Sequence, residues 1–190
     1  VEWHLAQHNT IGAVWKSGGT CSATLNNQAA NTLSFTAPVI FQDEDILHTI
    51  THSATPNGNF QQNITGSAQI PVIYMNGSTF VQTAVSSTPW VLGTSRLRYN
   101  LITAGSGALT DIGENQYVNY WIVATNDKTY PIKAIMGRNA YSTLDAASTE
   151  TLTSYGLPWP EIVPMQMVTL QSNGAWTLPT RSVIARVKEL

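Results

Sequence analysis

Tyr117 to Gly137, YVNYWIVATNDKTYPIKAIMG, decides the fold. Its first half, Tyr117-Val118-Asn119-Tyr120-Trp121-Ile122-Val123-Ala124, is crowded with aromatic and β-branched side chains, which fit a pleated surface better than a helix. Asn126-Asp127-Lys128 turns the chain, and Tyr130-Pro131-Ile132-Lys133-Ala134-Ile135-Met136 returns. The segment predicts an antiparallel hairpin. Pro131 has no N–H for a ladder, which places it at an edge or at the start of the returning strand.

Working outward, two more hairpins are signalled by Asn-Gly, which tolerates the positive φ angles of a type I′ turn. Asn76-Gly77 lies between Val72-Ile73-Tyr74-Met75 and Thr79-Phe80-Val81, and Asn173-Gly174 lies between Met165–Leu170 and Trp176-Thr177-Leu178. Leu33, Phe35 and Ala37 alternate with polar residues as a half-buried strand requires. Asp45 to His52 alternates too, with Ile46, His48, Ile50 and His52 on one face. Thr55-Pro56-Asn57-Gly58-Asn59 is a turn cluster.

One helix is expected, from Ser142 to about Tyr155. Ser142 and Asp145 resemble a capping box, Leu144, Ala147, Thr151, Leu152 and Tyr155 form one stripe, and Gly156 and Pro158 close it. Its many Thr residues weaken it intrinsically, so packing must hold it. The start of the chain is the least regular part, with a turn at Lys16–Thr20 and a loop at Leu25–Asn31. The expected architecture is all-β: a mainly antiparallel β-sandwich, jelly-roll-like, with one short α-helix near 142–155. Residues 1–38 read as an irregular N-terminal or attachment segment and 39–190 as the sandwich domain.

Composition agrees. Only 11% of the 190 residues are charged, against about 25% in an ordinary soluble domain. Thr (24), Ser (15), Asn (14) and Gln (10) fill the deficit, so the surface is polar without being charged. Nine Lys and Arg, scattered along a chain of net charge −2, form no basic patch, which argues against nucleic-acid partners and anionic membrane surfaces. No apolar run reaches the ~18 residues of a membrane-spanning helix. Val1 in place of an initiator Met reads as a processed chain or a piece of a longer one. Cys21 is alone, so no intrachain disulfide or Cys-based zinc site is expected, in keeping with folding in a reducing cytoplasm.

No constellation compels a chemistry. His4 and His8, like His48 and His52, have the four-residue spacing that suits metal binding on a helix, but neither pair has the Glu of HExxH. On a strand, residues four apart lie ~13 Å from each other and cannot share an ion. These read as polar or packing histidines. Asp43-Glu44-Asp45 is the one acidic cluster and reads as a solvated turn, since EF-hand spacing is lacking. Gly105-Ser106-Gly107 is a turn rather than a nucleophile elbow, Cys21 has no reactive signature around it, and Gly113 and Gly137 serve turns. Six Trp are generous: Trp90, Trp159 and Trp176, near loops or strand ends, are candidates for stacking on sugar rings, whereas Trp121 reads as buried. Asn63-Ile64-Thr65 and Asn76-Gly77-Ser78 match the glycosylation sequon by composition. No catalytic, cofactor or metal residue is assigned.

The central hairpin also resembles a module of bacteriophage tail-fibre and related virion-appendage proteins. Ala140-Tyr141-Ser142-Thr143-Leu144-Asp145-Ala146-Ala147 is similar to that family's helix start, and Gly156-Leu157-Pro158-Trp159-Pro160-Glu161-Ile162-Val163-Pro164 to its helix-to-strand connection. Phe41–His48 and Arg96-Leu97-Arg98-Tyr99-Asn100 add to the resemblance, which is best from about Trp90 to Gln171. It implies a non-enzymatic virion component, a tail or head fibre domain assembling as a homotrimer in the host cytoplasm. Its implied partners are other virion proteins and a host-surface glycan or receptor, with no cofactor. The alternative expectation is a carbohydrate-binding jelly-roll module. A glycan-degrading enzyme is the third reading, with no motif behind it.

Overall fold

The computed structural model describes residues 13–25, 31–43, 45–93, 96–152, 162–172 and 182–189. Within them the chain forms strands β1 (Val14–Ser17), β2 (Cys21–Leu25), β3 (Asn31–Phe35), β4 (Val39–Asp43), β5 (Ile46–His52), β6 (Gln61–Gln62), β7 (Val72–Asn76), β8 (Thr79–Gln82), β9 (Arg98–Thr103), β10 (Ser106–Asp111), β11 (Tyr117–Thr125), β12 (Ile132–Met136), β13 (Ile162–Ser172) and β14 (Ser182–Glu189). Helix α1 (Leu144–Ser148) lies between β12 and β13. The protein is all-β with one short helix. A six-stranded sheet runs β14-β13-β11-β12-β7-β8, a four-stranded sheet runs β1-β4-β5-β6, and β2-β3 and β9-β10 stand as two-stranded pairs. Pairing is antiparallel except between β7 and β12 and between β5 and β6.

The central hairpin forms as its residues predict: Tyr120 pairs with Met136 and Ala124 with Ile132. Pro131 stands just before β12, at the start of the returning strand. From β11, Tyr120, Ile122 and Ala124 join a core shared with Val39 and Phe41 of β4, Ile50 of β5 and Leu33 and Phe35 of β3, so the two larger sheets enclose one interior. The alternate β11 residues, Trp121 and Val123, build a second cluster with Ile73, Ile135 and Met167 on the other face, and α1 packs over β11 and β13. Coverage on both faces explains why β11 reads as a nearly unbroken apolar run. Trp121 is buried, as its setting suggests. Pro164 in the long β13 is tolerated because the β11-β13 register shifts there, between Ile122 and Val123, leaving room for a residue without an N–H.

Several local details differ from the sequence reading, each for a visible reason. Strand structure starts earlier than the alternation at Leu33 indicates, with β1 and β2, while β3 forms at that alternation and puts Leu33 and Phe35 in the core. Ala37 lies beyond β3 and is exposed. In the β7–β8 hairpin Asn76 pairs with Thr79, so the two turn residues are Gly77 and Ser78 rather than Asn76 and Gly77. Positive φ falls at Gly77 and not at Ser78, the sign pattern of type II′ rather than I′. The shift follows from a remote partner: Gly77 and Gly107 exchange both backbone hydrogen bonds, at 2.8 and 2.7 Å. The close approach also fixes Gly107, because a Cβ there would lie 2.3 Å from the Met75 carbonyl oxygen. The partner of β13 is β14, beginning with Ser182 opposite Ser172. Asn173-Gly174 and Trp176–Leu178 lie outside the described residues.

The helix is shorter than the expected span. Tyr141 and Tyr117 exchange backbone hydrogen bonds of 2.8 and 2.9 Å, which keeps the chain extended into residue 142. Thr143, not Ser142, is therefore the N-cap, its Oγ1 accepting from the Ala146 N–H. The helix ends at Thr149 rather than near Gly156: the Thr149 hydroxyl donates to the Ala146 carbonyl, and Glu150 turns away to bind the Arg138 N–H and the Asn119 amide. Residues 153–161 lie outside the described residues, and with them Tyr155, Gly156 and Pro158.

Glu150 yields a pH prediction. Burial raises its carboxyl above the usual 4.5, against the lowering effect of bonds from Arg138, Asn119 and Tyr141. The folded protein thus holds this proton more tightly than the unfolded chain does. The contribution to stability is complete below the unfolded value and is lost as pH rises through the folded one. The difference in urea midpoint between wild type and Glu150→Gln is expected to shift against the wild type as pH climbs from 4.5. A difference independent of pH would refute this.

The β9–β10 hairpin turns one residue ahead of the turn read at Gly105-Ser106-Gly107. Thr103 pairs with Ser106, so Ala104 and Gly105 form the turn, with φ of 50° and 79°. Two positive values define type I′, which favours Asn-Gly. Ala in the left-handed region costs roughly 1–2 kcal/mol, so Ala104→Asn is expected to stabilise the fold by about 1 kcal/mol. Thermal unfolding would show it as a raised midpoint.

Candidate functional site

Most groups singled out in the sequence are absorbed by the fold. The His48 ring sits between Phe41 and Phe60, with ring centroids 4.8 and 4.9 Å away, and its Nε2 is 3.9 Å from the Asp43 carboxylate. His52 Nδ1 accepts from the Ile64 and Thr65 amides at 3.3 and 3.4 Å. The two imidazoles thus serve packing and backbone bonding at separate places. His4 and His8 lie outside the described residues. Asp43 closes β4 and Asp45 is exposed in the turn to β5, while Glu44 is outside the described residues. Among the described residues no group of three or more His, Cys, Asp or Glu could hold a metal ion, and no helix is long and apolar enough to cross a membrane. Burial pushes the Cys21 thiol up to about 12, far from the range of a reactive thiolate. Gly105 lies in the β9–β10 turn, whereas Ser106 and Gly107 belong to β10.

Trp90 is not available to a ligand: it is 8% exposed, its ring set edge-on to Tyr120 at 5.1 Å. The core needs it there, because the Tyr120 hydroxyl beside it accepts from the Val91 N–H and donates to the Arg98 carbonyl. Trp159 and Trp176 lie outside the described residues. Among the described residues the exposed tryptophan is Trp15, which carries no sequence signal of its own and whose Nε1 donates to the Gly18 carbonyl at 3.0 Å.

Among the described residues the structure offers a concave feature that the sequence did not signal. A pocket of ≈ 220 Å³ opens where the loop after β5 meets the β11–β12 connection. Pro56 and Gly58 come from the first segment, Tyr130 from the second, and Asn63, Gln69 and Val85 complete the wall. Gln62 pins the floor. Its amide nitrogen donates to the Gln69 and Ile132 carbonyls at 2.8 and 2.9 Å, and its oxygen accepts from the Ile132 N–H at 2.8 Å. Gly58, Asn59 and Phe60 all have positive φ, at 84°, 57° and 60°. A bulky residue such as Phe60 holds that conformation only under constraint. The constraint is its N–H bond to the Lys128 carbonyl, the bond from Thr51 N–H to its own carbonyl, and its ring against His48.

The opposite wall is fixed by an ion pair. Lys133, with a side chain 0% exposed, donates to Asp127 Oδ2 at 2.6 Å and to Gln82 Oε1 at 2.8 Å. Asp127 Oδ1 accepts from the Thr129 and Tyr130 amides at 2.8 and 3.4 Å. Burial would raise the Asp127 carboxyl, but the Lys133 ammonium and these two amides outweigh it and hold it below its usual value. Burial lowers the Lys133 pKa, with Asp127 acting in the opposite direction. One carboxylate therefore ties the pocket-side loop to a charge inside the sheet.

Comparison with protein-family models, with curated proteins and with solved structures finds no match to this chain.

Proposed function

We propose that the chain is a non-enzymatic structural component of a bacteriophage virion. In this reading it is a tail- or head-fibre domain that assembles as a homotrimer and docks to other virion proteins or to the host surface. The observation that carries the reading is an exposed apolar end of the four-stranded sheet. Trp15 on β1 and Ile46 and Leu47 on β5 are 47%, 55% and 59% exposed. Val14 and Leu47 are both opposite Gln42 and share its face, whereas Trp15, opposite Phe41, and Ile46, opposite Asp43, project to the other face. Large apolar side chains left exposed at one end of a sheet are surface that a partner chain can cover. Among the described strands β1 is also the edge of its sheet, a place where a further strand can add.

Three other features support this reading. The 117–137 hairpin and its continuation resemble the virion-appendage family, and a weakly charged, Thr- and Asn-rich surface suits a particle component. The buried polar groups Gln62, Asn119, Thr169 and Lys133 are spent on internal hydrogen bonds, as in a structural domain. The test is solution mass by light scattering after size exclusion. A trimer at about three times the 20.7 kDa of one chain is expected, converted to smaller species by Leu47→Glu. A monomer at every concentration tried would overturn the assembly.

A further inference from the structure

We infer that the pocket beside Tyr130 binds one uncharged pyranose ring. Its ≈ 220 Å³ is below the ~300 Å³ at which pockets begin to take drug-sized ligands, so it suits a single ring. Its lining residues are all neutral, and the Lys133 ammonium, 5.9 Å from the Tyr130 ring centroid, is engaged by Asp127 and Gln82. A charged ligand would lose its water there without gaining a partner. A sugar ring combines what the walls offer. Its weakly positive C–H bonds suit the negative face of an aromatic ring such as Tyr130. Its hydroxyls suit the amides of Asn63 and Gln69 and the Thr129 hydroxyl. The three left-handed residues Gly58, Asn59 and Phe60 and the Asp127 clamp hold both walls in place before a ligand arrives.

The inference extends the host-contacting part of the proposed function and is independent of trimer formation. The test is saturation-transfer NMR on the full chain with the methyl glycosides of glucose, galactose, mannose and N-acetylglucosamine, and with glucuronate as the charged comparator. At least one neutral glycoside is expected to give signal and glucuronate none. Tyr130→Ala is expected to weaken binding about tenfold, the loss of one ring contact. Leu101→Ala, at an exposed position of β9 outside the pocket lining, is expected to leave it unchanged. Amide shift mapping on the wild type needs no variant and is expected to centre on Gly58, Asn63, Gln69, Thr129 and Tyr130. An oligosaccharide ending in the preferred sugar separates a glycan terminus, which binds at least as well, from a free sugar, which alone fits; either result keeps the pyranose site. Silence from every neutral glycoside overturns the inference, as does signal lost in Leu101→Ala and kept in Tyr130→Ala. A trimer that is silent overturns this site alone, and a monomer that binds overturns the assembly alone.

Discussion

Asp127→Ala is expected to lower the unfolding free energy by about 3 kcal/mol or more, the cost of breaking a buried ion pair from one side. Lys133 cannot escape to water, because its side chain is fully covered, and the carboxylate 2.6 Å away is its charge partner. The reverse change, Lys133→Met, is expected to cost less: the Asp127 side chain is 23% exposed and can regain water. The double variant should recover most of the Asp127→Ala loss, because a buried pair replaced by apolar groups is often neutral. Urea unfolding of the four proteins checks this, and the coupling between the two sites is the deciding quantity. Additive losses would mean that the pair contributes nothing as a pair. The same series reads the pocket, since Asp127 also holds the Thr129 and Tyr130 amides. Asp127→Ala should weaken any ligand there even in conditions where the fold is intact.

The features legible in the sequence were those decided locally. The β11–β12 hairpin was readable because its aromatic and β-branched run, its Asn-Asp turn and Pro131 all agree. The Asn76-Gly77 turn was placed one residue early because Gly107, far along the chain, pairs with Gly77 and pulls Asn76 into the strand. Nothing within ten residues of Asn76 carries that information. The β9–β10 turn falls one residue before Gly105-Ser106-Gly107, since Ala104 gives no turn signal although its φ is positive. The helix was overextended because a stripe of Leu144, Ala147, Thr151 and Leu152 continues past Thr149, while the pull of Asn119 and Arg138 on Glu150 is a tertiary effect.

The candidate site was hidden for a related reason. Trp count was the visible signal, and the core used Trp90 to pack Tyr120. The pocket instead joins two segments that the sequence marked only as turns, Thr55–Asn59 and Asn126–Lys128, through the Phe60 to Lys128 hydrogen bond. Turn residues announce where the chain bends and not which bends meet. A signal was present in Phe60 itself, a large apolar residue straight after Asn57-Gly58-Asn59, where a polar loop residue would be the ordinary choice.

Asn119→Ala tests the other buried polar hub. Asn119 is fully buried, and its side chain ties three elements together. Its Nδ2 donates to the Ala147 carbonyl of α1 at 2.8 Å and to Glu150 Oε2 at 2.7 Å, and its Oδ1 accepts from the Thr169 hydroxyl of β13 at 2.6 Å. Each buried group deprived of its partner costs ~1–3 kcal/mol, and relaxation recovers part, so a total loss of about 3–4 kcal/mol is expected. Thr169→Val removes one of the three bonds and should cost about 1 kcal/mol. Equal losses for the two variants would show that Asn119 acts only through β13. The distinguishing readout is optical. α1 and the residues after it cover the outer face of the six-stranded sheet, where Leu152 packs on the cluster that contains Trp121. Freed from Asn119, that cover loosens, and the emission of Trp121 should move toward that of a hydrated indole in Asn119→Ala while staying put in Thr169→Val.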